Sequence, residues 1–173
     1  MRQRIFLLTL VLILAGCGRS FIPEPVLAPP DAPVHVQYLL PPTFADDYEV
    51  LPDPTPFADE RGFLVALRPR GGTATITIGG GTPARAVWEQ HQPVKGSDRV
   101  KPYLLRGARG VKVVDPGLIT MVWVADGVPY YVSVTTVDDK TVEIFTNALA
   151  VYDLNAWQSR VAKGRSSAAP RTP

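Results

Sequence analysis

Cysteine occurs once in this chain, at Cys17, and histidine only twice, at His35 and His91. One cysteine excludes an intramolecular disulfide, so stability must come from a packed core. Two histidines far apart in sequence, with no H-E-x-x-H and no C-x-x-C, leave little from which to build a zinc site. Serine hydrolase chemistry lacks its G-x-S-x-G elbow, and no local sequence makes either histidine a base. A large charge excess is also missing: 18 Lys+Arg stand against 16 Asp+Glu. Residues 1–16 hold two arginines and no acid, so the remainder is balanced, 16 against 16. Nucleic-acid binding needs a basic excess on one face or domain, and none is expected here.

What is present begins at the N-terminus. Arg2 and Arg4 precede an apolar stretch, Ile5 to Leu14, broken only by Thr9. About ten apolar residues suit the h-region of an export signal; a membrane-spanning helix needs roughly twenty. Leu14-Ala15-Gly16-Cys17 follows. The whole arrangement resembles a bacterial lipoprotein signal with its lipobox. The resemblance implies cleavage after residue 16, diacylation of the Cys17 thiol and a third acyl chain on its amine. Two or more chains make anchoring stable, where one is marginal. Gly18, and no aspartate, comes next, which in a two-membrane bacterium implies the outer membrane. An acylated Cys17 leaves no thiol for other chemistry.

Composition divides the rest. Pro23, Pro25, Pro29, Pro30 and Pro33 crowd residues 17–33, and proline favours extended conformations over packed elements. This stretch reads as a tether reaching up to roughly 50 Å at ~3.1 Å per residue. Residues 34–158 read as one α+β domain, and residues 159–173, small, polar and basic, as a disordered tail. Residues 38–50, flanked by prolines, are expected to lie on the domain as extended segments or one short edge strand.

The domain opens with strand signals. Phe63–Leu67 and Thr73–Ile78 are joined by a Gly-containing turn, and Val100–Leu105 and Gly110–Val114 flank Arg106-Gly107-Ala108-Arg109. Pro116-Gly117 suits a type II turn. Asp126-Gly127, between Leu118–Ala125 and Val128–Thr136, is a strong hairpin signal. A two-residue loop sets the register: Ala125 opposite Val128, Trp123 opposite Tyr130, Met121 opposite Val132, Ile119 opposite Val134. These eight share one face, the expected core face; the other face is expected to be partly exposed. The period then changes. Val142, Phe145, Leu149 and Tyr152 form a helical stripe, with Asp138 and Asp139 placed to cap it. A shorter helix over Pro83–Gln90 is expected, with Thr82 as its cap. The fold class is α+β: an antiparallel meander of hairpins with a C-terminal amphipathic helix on one face.

Chemical signals are few. Gly79-Gly80-Gly81-Thr82-Pro83-Ala84 loosely fits a phosphate loop but lacks the βαβ context, and reads as a Gly-rich turn. The acidic pairs Asp46-Asp47, Asp59-Glu60 and Asp138-Asp139 fit no calcium loop; solvation and capping account for them. No catalytic residue, metal ligand or cofactor is implied. Lys95, Arg99, Lys101, Arg106, Arg109 and Lys112 make a basic stretch, a candidate contact for anionic head groups.

Residues 104–110 (Leu-Leu-Arg-Gly-Ala-Arg-Gly), 122–130 (Val-Trp-Val-Ala-Asp-Gly-Val-Pro-Tyr) and the helix with Phe145, Ala148 and Leu149 resemble an uncharacterised bacterial envelope-domain family. That family occurs in lipoproteins and in the exported parts of anti-sigma-type membrane proteins. The likeness spans roughly residues 45–152; Pro129 and an insert at 81–96 depart from it. It implies an envelope domain and no catalytic residue. The expected role is non-catalytic binding, scaffolding or sensing by a lipid-anchored envelope protein. Its partners would be the membrane, through the acyl chains on Cys17, and an envelope protein. The alternative is a small carrier or hydrolase acting on lipid or cell-wall material.

Overall fold

Asp126 and Gly127 take positive φ, 52° and 77°, and close a two-residue hairpin in the expected register, with Trp123 opposite Tyr130 and Met121 opposite Val132. The computed structural model describes residues 25–92, 97–136 and 138–168. Cys17 and Lys95, and the expected export signal, lie outside them. In chain order the elements are β1 (Tyr38–Leu40), α1 (Phe44–Asp47), β2 (Tyr48–Val50), β3 (Phe57–Asp59), β4 (Gly62–Pro69), β5 (Ile76–Gly81) and α2 (Thr82–Gln90). Then come β6 (Val100–Leu105), β7 (Ala108–Asp115), β8 (Leu118–Ala125), β9 (Val128–Val134), α3 (Asp139–Ala148), β10 (Ala150–Tyr152) and α4 (Leu154–Ala168).

Eight strands form one antiparallel sheet in the order β2-β4-β5-β9-β8-β7-β6, with β3 also paired to β4. After β5 the chain runs through α2 to the outer edge at β6, then walks back by three tight hairpins. β1 and β10 form a separate two-stranded sheet. The protein is therefore a single α+β domain, as expected.

Both faces of the sheet are covered. One carries Phe63, Val65, Leu67, Ile78, Met121, Trp123, Tyr130 and Val132, packed with Leu39, Leu40, Val142 and Trp157. The other carries Val111, Val113, Val122 and Val124, packed with Trp88 of α2. This second face, expected to be partly exposed, is so at Tyr131 and Ser133, whereas Val122 and Val124 are buried. The short stripe Ala84, Val87, Trp88 on α2 supplies its cover.

The C-terminal region differs from the expected single helix and tail. Asp138 caps α3, accepting from the backbone N–H groups of Lys140 and Thr141, but the helix stops at Leu149. Tyr152, placed on the helical stripe by spacing, instead pairs with Tyr38 across β1 and β10. A second helix, α4, then starts at Leu154 and occupies 159–168, where a disordered tail was expected. Its buried stripe is Trp157, Val161 and Gly164, at steps of four and three. A Cβ on Gly164 would lie 2.8 Å from Phe44, so the glycine sets close packing. The expected cap of α2 also moves. Gly81, at φ 72° and ψ −135°, is the N-cap, because a Cβ there would come within 2.1 Å of the Arg61 carbonyl. Gly79–Gly81 are not a turn but the end of β5, with Gly79 packed under Tyr131 and Gly80 under Tyr130 and Phe63.

Candidate functional site

Within the proline-rich stretch, the described residues from Leu27 onward are docked on the domain as a strap. Leu27 packs against the Trp88–Val124 cluster. The Ala28 N–H donates to the Gly127 carbonyl at 2.9 Å, and Arg85 Nη2 donates to the Ala28 carbonyl at 2.5 Å. Farther on, Val34 and Val36 enter the main core, and the Gln37 N–H donates to the Tyr130 hydroxyl at 2.9 Å. Burial pushes that hydroxyl up to about 12, so it stays protonated. The domain thus starts near residue 27, ahead of the expected boundary at 34.

Between these two attachments the strap stands off the domain. A half-open cleft of about 500 Å³ lies beneath it, at the end of the sheet where the Asp126-Gly127 turn, the β3–β4 turn and the start of α2 meet. Small-molecule sites fall in this size range. Asp31 and Glu60 line it together with Arg61, Thr82, Arg85 and Pro129. The lining combines proline edges, two guanidinium groups and two carboxylates. These groups can recognise a ligand by shape, hydrogen bonding and charge. Arg85 also faces Glu89 at 3.9 Å; the Arg61 side chain has no partner among the described residues.

The strap is held weakly. One ordinary and one charge-assisted hydrogen bond contribute about 1 and about 2 kcal/mol, and half-burial of Leu27 about 1 kcal/mol. Ordering Leu27, Ala28, Asp31 and Ala32 costs about 1–2 kcal/mol each, while the prolines are already restricted in the free chain. Gain and cost nearly cancel.

The basic stretch does not form one surface. Lys101 and Lys112 are paired in register on one face, and Arg109, opposite Leu104, is on the other. Arg99 makes a two-point contact with Asp115 at 2.5 and 3.1 Å. Arg106 Nη1 reaches the carbonyls of Thr146, Asn147 and Leu149 at 3.3, 3.3 and 2.7 Å, satisfying the C-terminal end of α3. Lys112 is 12% exposed and lies 2.8 Å from Asp139 and 2.9 Å from Glu143. The Asp139 hydrogen bond holds its ammonium above the usual lysine range. Lys101 is exposed, with no partner among the described residues.

Spacing along the chain could not reveal this Lys112 cluster, because its carboxylates lie on α3, 27 and 31 positions away. The cleft was equally hidden: its lining comes from four separate segments. His91 spends its Nδ1–H on the Val87 carbonyl at 2.7 Å, and His35 is exposed. Among the described residues no three His, Cys, Asp or Glu gather closely enough to hold a metal ion, and no helix is long and apolar enough to cross a membrane. Compared with family models, curated proteins and solved structures, the chain matches none of them. The likeness to the envelope-domain family therefore rests on the quoted residues alone.

Proposed function

We propose that this protein is a lipid-anchored component of the bacterial cell envelope whose α+β domain is a non-catalytic binding, scaffolding or sensing module of the envelope-domain type. The observation that carries this reading is the N-terminal run of Arg2, Arg4, ten largely apolar residues and Leu14-Ala15-Gly16-Cys17. Support for a binding role comes from the cleft of about 500 Å³ at the end of the domain nearest Cys17 in sequence. Its mixed lining of prolines, arginines and carboxylates suits a polar ligand or a protruding segment of an envelope partner. Three cations of the basic stretch are engaged in holding elements together: Lys112 ties α3 to the sheet, Arg106 closes the end of α3, and Arg99 binds Asp115 at the end of β7. Gly18 after the cysteine favours the outer membrane where the host has two.

The test is Cys17→Ala with metabolic labelling by a palmitate analogue and membrane fractionation. The wild type should incorporate label and fractionate with membranes. The variant should lose both properties. A variant that remains membrane-bound and normally processed overturns the anchor.

A further inference from the structure

We infer that the segment 28–33 is a strap that opens and closes on the folded domain, and that opening lengthens the tether and removes one wall of the cleft in a single step. The change in tether length rests on the anchor reading at Cys17; the opening of the strap does not.

The two attachments differ in kind. The rear one is Val36, 3% exposed within the main core, backed by the Gln37–Tyr130 hydrogen bond. The front one is Ala28, held by the Gly127 carbonyl and by Arg85, with the half-buried Leu27 beside it against the Trp88–Val124 cluster. Arg85 keeps 27% of its side chain in solvent, so water can replace it. Between the two, the Ala32 N–H donates to the Pro29 carbonyl at 3.0 Å, a contact internal to the strap. Pro29, Pro30 and Pro33 have no N–H to leave unsatisfied when the strap lifts. The front attachment is therefore the one that releases, and the strap swings on the rear one as a semi-rigid extended segment.

The consequence is geometric. If residues 18–26 are the extended tether the proline content predicts, its reach is up to about 28 Å with the strap closed at Leu27 and roughly 50 Å when opening frees the chain to residue 33. Any ligand that touches both the strap and Arg61 or Thr82 on the domain favours the closed form. By reciprocity, tension on the tether weakens binding of that ligand. Cleft occupancy and distance from the membrane are thereby linked.

Hydrogen exchange on the full chain in detergent micelles tests this, following the Ala28 amide against those of Ile78 and Val132 in the sheet. Ala28 should exchange at least roughly a hundredfold faster than the sheet amides, through local opening. Arg85→Gln should speed it a further ten- to hundredfold, the worth of one charge-assisted hydrogen bond, with Val132 unchanged. If the variant loosens α2 itself, seen at the Trp88 amide, Leu27→Ser tests the same attachment from outside the helix. It should accelerate Ala28 and leave Trp88 alone. Exchange of Ala28 in step with the sheet, or no response to either substitution, overturns the strap. The Cys17→Ala chain should give the same Ala28 rate whether or not Cys17 is the anchor, so failure of one reading is distinguishable from failure of the other.

Discussion

The indole N–H of Trp157 donates to the carbonyl oxygen of Leu39 at 3.2 Å, joining residues 118 positions apart. Trp157 also meets Phe63 edge-on, with ring centroids 5.7 Å apart, and is 1% exposed. This side chain locks α4 over the two-stranded sheet and the main core. Trp157→Phe should destabilise by about 1–3 kcal/mol, because the Leu39 carbonyl is left buried without a donor. Trp157→Ala should cost about 3–5 kcal/mol. Urea unfolding of both variants checks the order, and a chain ending at Asp153 should not fold cooperatively.

Lys112, Asp139 and Glu143 make stability depend on pH at both extremes. Asp139 is held below its usual 3.8 by the Lys112 hydrogen bond. Glu143 is held below its usual 4.5, first by the Tyr103 hydroxyl and then by Lys112. Depressed carboxylates stabilise the fold above their unfolded values, and that stability is lost as pH falls through the folded ones. Lys112, raised above 10.5, stabilises below that value and loses its contribution as pH rises through the higher folded one. The midpoint of thermal unfolding should fall below about pH 4 and above about pH 10.5, the unfolded ranges of these groups. Lys112→Met should flatten the part of both limbs due to this cluster and cost about 1–2 kcal/mol at neutral pH, between the surface and buried ranges for ion pairs.

Gly80 lies beneath two aromatic rings. A Cβ there would stand 2.4 Å from Phe63 Cε1 and 2.7 Å from Tyr130 Cδ1. Gly80→Ala should destabilise by about 1–3 kcal/mol, the usual cost of overpacking. Gly107→Ala meets no atom within 4 Å and should cost only the strain of its positive φ, 79°. Comparing the two in urea separates crowding from backbone strain, and the larger loss is expected at Gly80.

Pro102 sits in β6, the outer edge of the sheet. Proline is tolerated on an edge when its missing N–H falls on the open side. The Val100 N–H, two residues earlier, is already taken by the Ser97 hydroxyl at 3.2 Å. Both features blunt the edge against pairing with another chain. Pro102→Val restores a donor beside the exposed Leu104 and should promote association. Sedimentation at rising concentration should show the variant self-associating where the wild type does not.

Legibility in the sequence followed the range of the interactions. The Asp126-Gly127 hairpin, its register and the Asp138 cap were readable because each depends on residues within a few positions. α4 was missed because its third buried position is Gly164, which hydrophobicity does not mark, and because the helix follows so soon after β10. Tyr152 shows the opposite failure. It fits the helical stripe, but pairing with Tyr38 outweighs local periodicity, as tertiary contacts commonly outweigh propensity.

By itself the sequence determined the antiparallel hairpins, the buried face of β8 and β9, and the run ending at Cys17 on which the anchor reading rests. These are properties of turn geometry, side-chain alternation and short contiguous motifs. Only the tertiary structure decided that α2 covers the second face, that Lys112 joins Asp139 and Glu143, and that residues 27–34 bend back onto Gly127 and Arg85 to roof a cleft. Each of these depends on groups brought together from distant parts of the chain, and the hydrophobic pattern that collapses the core does not encode which polar groups then meet at its edges.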